Sequence, residues 1–103
     1  MTDTVIKLPG TDLASRQAAA RVRYNVANAV SAGNTVVVDL SEIESVSYAY
    51  ADELFGVIAA TQGFDWLVEQ IKIVNTKEHV LRVIAEVINR RLKETGQPIR
   101  HRA

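Results

Sequence analysis

The chain predicts a small single-domain α/β fold: an open, mainly parallel sheet with helices packed on it, in β-α-β-α-β-α order. Three observations carry this expectation. Val36-Val37-Val38 is an unbroken apolar run that ends at Asp39, a pattern suited to a strand covered on both faces. Val80, Val83, Ile84, Val87 and Ile88 recur at i, i+3, i+4, i+7 and i+8, the clearest helical signal in the sequence. A helix-length stretch separates the first strand from the Val36 run, and such a unit implies parallel pairing through a right-handed crossover.

Thr4-Val5-Ile6-Lys7-Leu8 is rich in β-branched residues and forms the first strand, ended by Pro9-Gly10. Thr11 or Asp12 caps a helix from about Leu13 to Ala32. Its apolar stripe is Leu13, Ala18, Val22, Val26, Ala29 and Val30, and Arg16, Arg21 and Arg23 fall outside it. Gly33 stops this helix. Thr35 to Leu40 is the central strand. Ser41 to Ser45 is a polar connection with Ile43 tucked beneath it, and Val46 adds a residue or two of extended chain. The second helix begins near Tyr48 to Ala51 and buries Ala51, Leu54, Phe55, Ile58 and Ala59 before Gly63 ends it. Phe64 to Leu67 reads as a loop or short helical turn, with Trp66 closing the core edge. Gln70 to Val74 is the third strand. Asn75 or Thr76 caps the last helix, and Gly96 stops it. The domain is expected over residues 1–96, with residues 97–103 as a C-terminal tail.

Composition bounds the function. A chain of 103 residues with 48% hydrophobic and 23% charged residues can build one core and is not disordered. Twelve basic and twelve acidic residues cancel, so no global field drives it onto nucleic acid or membrane, and neither is an expected partner. With no cysteine there is no thiol chemistry and no thiolate metal site, which fits a cytoplasmic location. No leader segment and no apolar run of membrane-spanning length is read. The charge is polarised: no Lys or Arg stands between Arg23 and Lys72, whereas Arg82, Arg90, Arg91, Lys93, Arg100 and Arg102 crowd the end. The last of these show no aromatic interleaving or nucleic-acid motif. A polarised neutral surface can orient a protein partner or another copy of the chain.

Polar candidates cluster between the central strand and the second helix. Asp39 ends the strand and is read as a loop support that accepts backbone N–H bonds. Ser47 is read as the helix N-cap. Asp52 and Glu53 sit in the first turns. Adjacent helical positions point about 100° apart, so one is expected to be solvated and the other to meet a cation such as Arg16 from the neighbouring helix. Tyr48 and Tyr50 alternate with small residues, so one is expected inside and the other exposed as an anchor. His79 and His101 lack a second ligand at metal spacing, and no metal or other cofactor is expected. Nor is there a nucleophile–base pair or a Gly-rich phosphate loop, so no catalytic residue is assigned.

Val36-Val37-Val38-Asp39-Leu40-Ser41, followed by Ile43, Ser47 and a helix, resembles the STAS domain of anti-sigma factor antagonists and sulfate transporters. Ser47-Tyr48-Ala49-Tyr50-Ala51-Asp52-Glu53-Leu54-Phe55-Gly56 is similar to the STAS-like family of unknown function, small bacterial and phage-borne domains, as is the upstream pair Ser15-Arg16. The resemblance covers about residues 10 to 92. Its Ala-Asp-Glu-Leu-Phe-Gly run is the more specific part. The resemblance implies a non-enzymatic regulatory module that binds a protein partner, such as a histidine-kinase-like ATPase, through the strand-to-helix loop. Carried onto this sequence, the contact would involve Arg16, Ser47, Tyr48, Tyr50, Asp52 and Glu53, with Asp39 supporting the loop. Antagonist STAS domains are switched by phosphorylation within an Asp-Ser-Ser/Thr-Gly motif. Here Ser47-Tyr48-Ala49-Tyr50 stands in its place, so Ser45 or Ser47 would have to accept the phosphate. A homo-oligomeric assembly module is the second expectation, and a small nucleotide-binding domain or enzyme the third.

Overall fold

The computed structural model describes residues 2–96; the expected tail at 97–103, with Arg100, His101 and Arg102, lies outside the described residues. Three strands form the main sheet: β1 (Asp3–Lys7), β3 (Thr35–Asp39) and β5 (Ile71–Val74). Their order is β1-β3-β5 and all pairing is parallel, so the valine run is the central strand. Register places Thr4, Val36 and Ile71 in one row and Ile6, Val38 and Ile73 in the next. Val36 and Val38 are fully buried on this face. The other face carries Val5, Val37 and Lys72 in one row. There Val5 is 63% exposed and Val37 only half-buried, so the expectation of a strand covered on both faces is corrected. The helices bury one face and leave the other partly open.

Helix α1 runs from Arg16 to Ser31, three residues later in its start than its apolar pattern suggested. Ser15, not Thr11 or Asp12, is its N-cap, accepting from the Ala18 amide at 3.2 Å. The residues ahead of it, Asp12–Leu13, form a short strand β2, which pairs in parallel with β4 (Ser45–Val46) in a second, two-stranded ladder. Leu13 is therefore buried as a strand residue. The helix buries Ala19, Val22 and Val26, while Ala18 is exposed.

After β4, α2 (Tyr48–Ala51) continues through a π-helical turn (Asp52–Gly56) into α3 (Val57–Gln62). In that turn the Val57 N–H reaches back to the Asp52 carbonyl, five residues earlier. Ala51, Leu54, Phe55, Ile58 and Ala59 face the core as expected. Gly63 breaks the run at φ 91°. Of the two readings of the next segment, loop or short helical turn, the helical one holds and extends further, as α4 (Phe64–Gln70), and its half-buried Trp66 packs on the core. Helix α5 spans Glu78–Glu94 and buries Val80, Ile84, Val87 and Leu92. Its N-cap position is Lys77, without a side-chain cap; Asn75, at φ 59°, instead turns the chain out of β5.

The two tyrosines take opposite places. Tyr50 is 2% exposed and belongs to the core, while Tyr48 is 45% exposed. Tyr50→Ala is expected to cost about 3–5 kcal/mol of stability, as large aromatic truncations in cores do. Tyr48→Ala should stay within about 0.5 kcal/mol. Urea unfolding of both variants checks the pair.

Candidate functional site

The first turns of the α2–α3 rod carry two acidic residues where neighbouring helices supply arginines. Asp52 accepts two hydrogen bonds from Arg91 of α5, from Nε and from Nη2, each 2.8 Å. It accepts a third from Nη1 of Arg16, the first residue of α1, at 3.2 Å. The same Nη1 lies 3.3 Å from Glu53 Oε1. Glu53 Oε2 accepts from Arg23 Nη2 at 2.8 Å, and the Arg23 Nε–H donates to the Glu53 carbonyl at 3.0 Å. The result is a chain of five charges, Arg91–Asp52–Arg16–Glu53–Arg23, joining α1, the π turn and α5.

This corrects the expectation that one carboxylate is solvated. The Asp52 and Glu53 side chains are only 17% and 21% exposed, and both are paired. An angular offset that would split one small ligand between them does not stop an arginine from another helix bridging both. Sequence reasoning named Arg16 and missed Arg23 and Arg91. The signals were present. Arg23 follows Arg16 by seven residues, two turns on the same helix face. Arg91 follows Val87 by four and Ile84 by seven, so it extends the buried stripe of α5.

Gly56 makes the Asp52–Arg91 pair possible. A Cβ there would stand 2.5 Å from Asp52 Oδ1 and 3.1 Å from Arg91 Cγ. Its φ of −64° is ordinary helix, so glycine is needed for space and not for backbone freedom. Ala51-Asp52-Glu53-Leu54-Phe55-Gly56 therefore has a physical reading. Ala51, Leu54 and Phe55 fill the core, the two carboxylates meet arginines, and Gly56 clears the path of one of them.

Asp39 belongs to a different group of contacts. Its Oδ1 accepts from the Ser41 amide at 2.9 Å and from Asn75 Nδ2 at 3.3 Å, tying together the loops after β3 and β5. The Ser41 amide above all, then the Asn75 amide group, holds its carboxyl below the ordinary value. Lys77 Nζ donates to the Ile43 carbonyl at 3.2 Å, and His79 Nε2 pairs with the Glu44 carbonyl at 2.5 Å. The strand-to-helix loop is thus held down from both sides. Ser47 caps α2, accepting from the Tyr50 amide at 3.0 Å and donating to the Ala14 carbonyl at 3.0 Å. The Ser45 hydroxyl donates to Asp12 Oδ1 at 2.6 Å. Both candidate phosphoacceptors thus have engaged hydroxyls, and Ser45 faces a carboxylate that would repel a phosphate. Tyr50 is corrected as a contact residue, because its ring is enclosed. Tyr48 stands outside, with the Arg90 guanidinium 5.8 Å from its ring centre.

Two predictions follow from this geometry. Alanine is the better helix former by about 1 kcal/mol, yet Gly56→Ala is expected to destabilise by about 1–3 kcal/mol through overpacking. In an Asp52→Ala background most of that loss should vanish, a non-additivity that a double-mutant cycle by chemical denaturation measures. The second concerns pH. The Arg91 bonds hold Asp52 below its ordinary 3.8, and the Arg23 bonds hold Glu53 below its ordinary 4.5. The unfolded chain therefore takes up protons at higher pH than the folded one. The stability from these pairs is fully present above those ordinary values and is lost as pH falls through the depressed ones. Urea midpoints should hold down to about pH 5 and then decline, and Asp52→Asn should flatten the decline, leaving the part due to Glu53 and Asp39.

A family model described as a STAS-like domain of unknown function matches residues 18–81, more than half of the chain. No curated protein and no solved structure gives a significant match. The matched segment holds the central strand, the loop, Asp52, Glu53, Gly56 and Arg23, while Arg16 and Arg91 lie beyond its two ends. With its parallel sheet and its helices packed as described, the chain belongs to the family of STAS-like domains of unknown function.

Proposed function

We propose that this domain is a non-enzymatic regulatory module that binds a protein partner, such as an ATPase-type regulator, at the start of the α2–α3 rod. The observation that carries the reading is Tyr48, a large aromatic left outside at the mouth of a rigid, charge-locked helix start. Aromatic and arginine side chains are the commonest energetic anchors of interfaces. Ser47 at its cap, Asp39 under the loop and the Asp52–Glu53–Arg16 network give the anchor a fixed bearing. A pre-organised anchor loses less entropy on binding. The domain itself is read as cytoplasmic, in keeping with its cysteine-free sequence. Among the described residues no helix is long and apolar enough to cross a membrane.

A second reading, assembly with copies of itself, draws on the partly open sheet face around Val5 and on the exposed Leu81 of α5. One experiment separates the two. The tagged full chain and its Tyr48→Ala variant are used for affinity capture from the native host, and the recovered proteins are identified by mass spectrometry. A specific partner that falls by about tenfold or more in the variant is the expected result, the size of effect a single hot-spot truncation gives. A partner kept at full yield by Tyr48→Ala would sink the proposed surface. Recovery of self-copies alone would favour assembly.

A further inference from the structure

The acidic cluster invites the idea that this surface attracts a basic partner. The contacts give the opposite sign. A groove of about 290 Å³ lies between the start of α2 and the last turns of α5, lined among others by Arg16, Tyr48, Asp52, Arg90, Arg91 and Glu94. Arg91 is committed to Asp52 by two short bonds. Arg23 takes up Glu53 on the far side. Arg16 is then the surplus cation. Its contacts to both carboxylates run through Nη1 alone, at 3.2 and 3.3 Å, and its side chain remains 53% exposed. Arg90 has no ion pair among the described residues. Its guanidinium lies 5.8 Å from the Tyr48 ring centre on an exposed residue, so its N–H groups are open to an acceptor. Exposed Glu94 is the groove's other carboxylate, so three arginines against two acids leave one positive charge in excess.

We propose that this groove receives an acidic side chain of the protein partner, its carboxylate between Arg16 and Arg90 and a neighbouring apolar group on Tyr48. The inference rests on the interaction reading above and names its partner's chemistry. Charge complementarity supplies the carboxylate. The openness of the site argues for a side chain on a protein surface, since small-molecule sites enclose most of their ligand.

The test is an NMR titration of the ¹⁵N-labelled full chain. The probes are a capped hexapeptide, Glu-Phe-Glu-Glu-Phe-Glu, and its counterpart with glutamine for each glutamate. The signals followed are the Tyr48 amide and the Nε–H groups of Arg16 and Arg90. Saturable shifts at these sites are expected, with the glutamate peptide about tenfold tighter than the glutamine one, and binding about fivefold weaker in Arg16→Gln and in Arg90→Gln. The exposed Arg90 keeps the test valid should Arg16→Gln unsettle the fold. Equal affinity for the two peptides would overturn the inference. So would tighter binding of an oligothymidylate, which would make the groove a nucleic-acid contact. A captured partner that needs Tyr48 yet binds both arginine variants at wild-type strength would end the acidic-partner inference alone. A groove saturated by the glutamate peptide, with no partner captured, would end the regulatory reading alone.

Discussion

Asp52 fixes three helices at one point. Its two oxygens take Arg91 from the end of α5 and Arg16 from the start of α1, while its own backbone opens the π turn that continues α2. The approach is close enough that a methyl group at position 56 would overlap the carboxylate. The π turn sits at the same place, with the Asp52 carbonyl bonded to the Val57 amide. Pairs of this half-buried kind add modest net stability, because desolvation offsets much of the attraction. What they do set is direction. A bidentate guanidinium donates to its carboxylate in one plane, so the Asp52–Arg91 pair fits one orientation of the rod on α5, the one in which their apolar faces share the core.

The same point explains why one helix start can be rigid and exposed at once. Tyr50 and Ala51 face inward, and the Ser47 hydroxyl accepts from the Tyr50 amide while also donating to the Ala14 carbonyl ahead of α1. The short β2–β4 ladder holds the same two chain segments together one residue earlier. Tyr48 is left with its base fixed and its ring half-exposed beside Arg90. Two residues along a helix change face by about 200°, so placing one tyrosine in the core puts the other in solvent.

Much of this was legible in the residues. The valine run predicted the sheet centre, and the i, i+3, i+4 spacing predicted α5, because both rest on burial of long apolar patterns. The start of α1 was misread for a related reason. Leu13 fits the helical stripe, but its partner, Val46, is 33 positions away, and a pairing between two distant dipeptides leaves no periodic trace. Val37 was read as covered because a continuous run does not say which side lacks a helix. The site was half legible. Ser47, Asp39 and the pairing of Arg16 with the acidic residues follow from local rules of caps, turns and opposite charge. Arg91 was hidden by its place in a C-terminal basic run, which the helix dipole explains well enough; its position on the buried stripe is what separates it from Arg90 and Lys93.

The sign of a surface is set by what remains after internal pairing, not by which residues a motif contains. Ala-Asp-Glu-Leu-Phe-Gly looks acidic, and the stretch from Tyr24 to Ile71 contains no basic residue at all. Folding brings Arg16, Arg23 and Arg91 from both sides of that stretch onto its two helix-start carboxylates. The third arginine is the one left facing outward, and Arg90 stands beside it against the exposed tyrosine. Arg16 stands between the two carboxylates and is attracted by both, yet it reaches them through a single nitrogen and keeps half of its side chain exposed.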